Sequence, residues 1–164
     1  MAPGGVTLRV ATDADREFLF TTYASARAGE LAVVPWTADE RDAFLRQQFA
    51  LQRAHYRANY AGAQESVIEA DGVPIGRLYV HRAGTELCLM DIALLAGHRS
   101  RGIGGALIRE LLDEAAAAGV PVTLHVEASN PARRLYARLG FVQVEQGPVY
   151  DRLEWRSSAS SSAG

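Results

Sequence analysis

Lysine is missing from this chain of 164 residues: all seventeen formally cationic side chains are arginine. No P-loop lysine, Schiff-base lysine or kinase strand lysine is available. Arginine in its place favours forked contacts to phosphate or carboxylate. Cysteine occurs once, at Cys88. One thiol makes no internal disulfide and no cysteine-based zinc site. Cys88 reads as a buried strand residue rather than a nucleophile. Excess charge is lacking as well: the formal net charge is −2, which argues against a nucleic-acid partner. No apolar run reaches the length of a membrane span, so no membrane partner is expected. The opening MAPGGVTLRV has neither the charged nor the apolar region of a signal peptide, so a cytoplasmic protein is expected.

What is present suits one mixed α/β domain over residues 1–156, followed by a disordered Ser/Ala-rich tail at 157–164. Val6–Ala11 reads as a strand, and Thr12-Asp13 caps a helix running to about Ala28. Thr37–Glu40 is a capping box before a long helix to about Tyr60. SVIEADGVPIGRLYV holds two strands around Asp71-Gly72, a hairpin signal. A third strand begins near Glu86, and the three form an antiparallel meander. Ile103, Leu107, Leu111 and Ala115 share one face of a helix that stops at Gly119. VTLHV follows as a strand, so a right-handed crossover makes a parallel pair. Asn130-Pro131 opens a short helix ending at Gly140. FVQVE and VYDRLEW form a last hairpin around Gln146-Gly147-Pro148. The order is β-α-α-β-β-β-α-β-α-β-β.

The stretch HRSRGIGGALI, residues 98–108, puts two arginines and three glycines at a helix start. A helix N-terminus offers unpaired N–H groups and a positive dipole end, and glycine lets a phosphate approach that backbone. The plain alternative is a tight turn with glycines for packing. Gly97 and Gly102 have Walker spacing, but Ile103 stands where that motif needs lysine. Gly102-x-Gly104-x-x-Leu107 lacks the third glycine of the dinucleotide fingerprint.

Arg99-Ser-Arg-Gly102-Ile-Gly104 resembles the R/Q-x-x-G-x-G/A loop of the Gcn5-related N-acetyltransferase (GNAT) superfamily. ASNPARRLYARLGF, Ala128–Phe141, resembles the second cofactor motif of the same family. The resemblance runs over roughly residues 6–156 and implies a GNAT-like acyl-CoA N-acyltransferase fold. It implies acetyl-CoA as cofactor, its pyrophosphate held by Arg99, Ser100, Arg101, Gly102, Ile103, Gly104 and Gly105. Ile92, Ala93 and Leu94 would pair through their backbone with the pantetheine arm. Asn130 and Ala132 would contact the cofactor from the other side. Similar proteins commonly form homodimers through their C-terminal strands.

The implied reaction moves the acetyl group to a primary amine by direct attack through a tetrahedral intermediate. The oxyanion needs a backbone N–H, near Ile92–Leu94 in this reading. Tyr136 occupies the position of the general acid for the departing thiolate; a phenol suits a thiol leaving group. The plain reading of Tyr136 is a core aromatic. Base candidates are Glu86, Asp91, His125 and Glu127, and an amine of low pKa needs none. The acceptor is a small-molecule amine or a peptide or protein amine. Trp36, Phe49, Tyr56 and Tyr60 line its pocket or belong to the core. Arg46, Arg53 and Arg57 form a basic stripe, either a solvated face or a receptor for an acidic acceptor. A non-catalytic acyl-CoA sensing module on the same fold is the alternative function.

Overall fold

The computed structural model describes residues 4–158. The elements are β1 (Val6–Val10), α1 (Arg16–Leu31), α2 (Ala38–Asn59), β2 (Gln64–Ala70), β3 (Val73–Arg82) and β4 (Leu87–Leu94). They continue with α3 (Ile103–Ala118), β5 (Val122–Glu127), α4 (Arg133–Leu139), β6 (Val142–Gln146) and β7 (Tyr150–Trp155). Helices and strands follow in the expected order. The seven strands form a mixed sheet of order β1-β2-β3-β4-β5-β7-β6. β4 and β5 are parallel, as the crossover through α3 requires.

Two compact units share the chain, one holding Gly4–Tyr79 and Asp91–Arg101, the other Val80–Met90 and the residues from Gly102 onward. In the first unit, α1 and α2 pack through Leu19, Phe20, Tyr23, Leu45 and Phe49, with Val67 of β2. Phe20 and Phe49 meet edge to face at 5.7 Å. α2 begins with the capping box: Thr37 Oγ1 accepts from the Glu40 amide at 3.1 Å, and the Thr37 amide donates to Glu40 at 2.9 Å. The Thr37 amide, and after it the Thr37 hydroxyl, holds the Glu40 carboxyl below its usual range. Asp71 and Gly72 both adopt left-handed backbone (φ 51 and 81), the conformation a two-residue hairpin turn needs.

In the second unit, α3 buries Ile103, Leu107, Leu111 and Ala115, the face read from their spacing. Gly119, at φ 71, ends the helix. β5 pairs with β7 from Val122↔Trp155 to Glu127↔Tyr150. β6 is one edge of the sheet, exposed along its whole length, with an irregular register between Gln143 and Glu145.

Three boundaries differ from expectation. A short 3-10 turn, Asp13–Asp15, precedes α1, and α1 continues to Leu31. Propensity does not stop a helix at Ala28 when Leu31 still packs against its core. The helix after Asn130-Pro131 begins at Arg133, because the Asn130 side chain first closes a turn on Ala132. Of the tail at 157–164, positions 159–164 lie outside the described residues.

Candidate functional site

Past Leu94 the chain makes a 3-10 turn, Ala96–His98, then enters left-handed backbone at Ser100 (φ 62) and Gly102 (φ 77). A side chain at Gly102 would have open space around it, so the backbone angle is what favours glycine there. Ser100 holds the same region without that freedom, a cost of about 1 kcal/mol. Gly102 caps α3 without a side chain, and the first turn of α3 carries no acid. Its first intrahelical bond joins the Ala106 amide to the Gly102 carbonyl at 3.0 Å. The amides of Ile103, Gly104 and Gly105 therefore precede the helix ladder and remain free to donate to an anion. α2, with its Thr37–Glu40 box, spends its own N-terminus on its own side chains.

The two loop arginines behave differently. Arg99 folds back, its Nε donating to the Leu94 carbonyl at 2.8 Å and its Nη2 lying 3.3 Å from Ser25 Oγ of α1. It ties the loop to the end of β4 rather than standing free in solvent. Arg101 is exposed and makes no side-chain hydrogen bond or ion pair among the described residues. Gly105 is buried, and a Cβ there would sit 3.6 Å from Leu135 Cδ1, so the start of α3 lies against α4.

Ile92, Ala93 and Leu94 form the half-buried end of β4. The parallel register between β4 and β5 covers only Leu87↔Val122 and Cys88↔Thr123. On the side of β3, the Leu95 amide donates to the Ile75 carbonyl at 2.8 Å. Gly76 faces Ala93 so closely that a Cβ would collide with the Ala93 carbonyl oxygen.

Asn130 Oδ1 accepts from the Ala132 amide at 2.9 Å, and the Asn130 carbonyl accepts from Arg133 at 3.1 Å. The turn before α4, and not a helix cap, thus occupies this side-chain oxygen. Tyr136 is buried on α4, its ring 5.7 Å from Phe141 and tilted edge-on. The glycine that ends α4, Gly140 at φ 103, fixes Phe141 beside it.

The profile of the acetyltransferase (GNAT) family matches residues 26–141. The chain belongs to that family. GNAT proteins also share its fold among solved structures. PaiA N-acetyltransferase from Thermoplasma acidophilum, in complex with coenzyme A, aligns with TM-score 0.71 at 16% identity over 93% of this chain and 99% of its own. Spermidine N-acetyltransferase from Vibrio cholerae, in complex with CoA and spermine, gives 0.63 at 20% identity over 97% and 99%. YncA from Salmonella typhimurium, with its cofactor acetyl-CoA, gives 0.57 at 23% identity over 93% and 94%. No curated protein matches the chain in sequence.

Within this GNAT domain the four base candidates have separate surroundings. Glu86 accepts from Thr123 Oγ1 at 2.6 Å and lies 3.5 Å from Arg152. Asp91 pairs with Arg77 at 3.0 Å while a third of its side chain stays exposed. His125 is exposed, and Glu127 is half-buried. Cys88 is buried, and burial pushes its thiol upward, away from thiolate chemistry. Trp36 packs on Phe44, Phe49 belongs to the core, and Tyr56 meets Tyr79 edge to face at 5.0 Å.

Arg77 is the charged residue the sequence does not announce. It is 1% exposed, donates to Gln52 at 2.8 Å, and lies 3.7 Å from Glu65. Glu65 also receives Arg53 Nη1 at 3.0 and 3.1 Å. Its sole sequence signal is an arginine inside an otherwise apolar strand, IGRLYV. A buried cation of this kind survives only when paired.

Proposed function

We propose that the protein is an acetyl-CoA-dependent N-acetyltransferase acting on a primary amine. One observation carries the reading: the uncapped, acid-free N-terminus of α3, approached through left-handed Ser100 and Gly102. Those residues fit a pyrophosphate. The amides of Ile103, Gly104 and Gly105 would donate to it at the positive end of the helix dipole, and the exposed Arg101 would supply positive charge. Arg99 contributes by fixing the loop to Leu94. The end of β4, Ile92–Leu94, offers backbone groups to the pantetheine amides. Ala132 and Asn130 contribute from the turn before α4, with Asn130 holding that turn closed.

Acetyl-CoA, when bound, supplies an activated thioester. The protein's part is to orient it, exclude water and move protons. The Tyr136 hydroxyl would hold the proton that a thiolate leaving group needs; a phenol near pKa ~10 matches a thiol in strength. A backbone N–H at Ile92–Leu94 would donate to the thioester carbonyl oxygen. The exposed edge β6, with Val142 and Val144 in solvent, fits a homodimer joined at the C-terminal strands.

The test is calorimetric titration of the folded protein with acetyl-CoA, with ATP and NADH as controls. Selective binding of acetyl-CoA near the micromolar range supports the cradle. An amine screen read by free thiol release then identifies the acceptor. Binding without thiol release across the screen supports the sensing module instead. No binding of acetyl-CoA or other short acyl-CoAs overturns the enzyme reading.

A further inference from the structure

Between α1 and α2 lies an open cavity of about 320 Å³, within the size range of small-ligand sites. Its floor is Phe20 and Phe49, both buried. Ala50 and Ala54 on α2 leave it open, and arginines 16, 46, 53 and 57 stand around it. None of the residues named above for the acyl-CoA site lines it.

The arginines are not equivalent. Arg46 is fully engaged: Nε donates to Asp42 at 2.8 Å, and Nη1 and Nη2 donate to Glu17 at 3.3 and 2.7 Å. Its guanidinium carbon sits 4.1 Å from the centre of the Phe20 ring. Arg53 is answered by Glu65 and lies 5.4 Å from the Phe49 ring centre. The side chains of Arg16 and Arg57 have no hydrogen-bond or ion-pair partner among the described residues. Glu17 and Asp42 both answer Arg46 and Glu65 answers Arg53, so Arg16 and Arg57 stand unpaired while the net charge of the four arginines and three carboxylates is roughly +1.

We propose that this groove binds a small organic monoanion with a flat apolar body, an aryl or arylalkyl carboxylate. The surplus of about one charge favours a monoanion over a dianion, since a second negative charge would meet Glu17. The aromatic floor and the guanidinium faces of Arg46 and Arg53 receive the flat body. The carboxylate draws its hydrogen bonds from Arg16 and Arg57.

The experiment is calorimetric titration of the full chain with benzoate. Inorganic phosphate tests charge without a ring, and benzylamine tests the ring with the opposite charge. Expected is saturable benzoate binding that weakens with added salt and exceeds both controls. The double variant Arg16→Gln/Arg57→Gln, which breaks no internal pair, should bind benzoate about tenfold or more weakly. Ala50→Trp fills the cavity without touching a charge and should abolish binding, while circular dichroism confirms the fold. Benzoate affinity unchanged in either variant overturns the proposal. So does failure of the folded parent to saturate by roughly 10 mM benzoate.

Discussion

Gly76→Ala is the substitution whose outcome the structure constrains most tightly. Gly76 is buried on β3, and its added Cβ would strike the Ala93 carbonyl oxygen and approach Leu94 Cδ2 to 2.8 Å. The leucine tip can rotate; the carbonyl is backbone and cannot. β3 and β4 must therefore part locally, straining the bond from Leu95 N to Ile75 O. Overpacking of this kind costs about 2–3 kcal/mol. For a chain of this size that lowers Tm by roughly 4–12 °C. Gly29→Ala is the internal control. Gly29 lies in α1 with nothing within 4 Å of its Cβ position and no left-handed angle. Alanine there should stabilise the helix by about 0.5–1 kcal/mol. Thermal melts followed by circular dichroism, with urea titrations beside them, measure both. The displaced segment is Ala93-Leu94, so the affinity of Gly76→Ala for acetyl-CoA should also fall. A Gly76→Ala variant melting within about 1 °C of the parent would refute the collision.

Gly104→Glu places a carboxylate in the first turn of α3; calorimetry should show acetyl-CoA affinity reduced about 100-fold or more. The melting temperature should hold, because an acid there suits the helix dipole, and unchanged affinity would remove the cradle. Tyr136→Phe should lower kcat about 100-fold with acetyl-CoA affinity preserved; equal rates for variant and parent would dismiss Tyr136 as the acid. Arg9 donates to Asp15 and holds its carboxyl at about 2, below the usual 3.8. A depressed carboxyl stabilises the fold above its unfolded pKa, and that contribution is lost as pH falls toward the folded value. Melts of Asp15→Asn and parent should therefore converge as pH drops from about 4 to about 2; a constant difference would discard the pairing.

Local pattern was readable because it depends on neighbours in the chain. The Thr37–Glu40 box, the Asp71-Gly72 turn, and the glycines at 102 and 119 bounding α3 all act within a few residues. The face Ile103-Leu107-Leu111-Ala115 follows from helical period alone. The order of elements then follows, and with it the parallel pair β4–β5. The glycine-rich, uncapped start of α3 was legible for the same reason: free amides and glycine angles are properties of a short segment.

Contacts between distant segments were not readable. Nothing in IGRLYV says that Arg77 is buried against Gln52, Glu65 and Asp91, because those partners come from three other elements. Arg99 carries the charge the motif suggests, yet its nearest acceptor is the Leu94 carbonyl, a matter of how the loop folds back. Gly76 looks like any strand glycine until β4 lies beside it and the Ala93 carbonyl occupies the space a side chain would need. The sequence by itself determined the elements, their order and the glycine-rich helix start, through sterics and hydrogen bonds between near neighbours. Only the tertiary structure decided which arginines are buried, paired or free, because charge pairing depends on distances that chain order does not set.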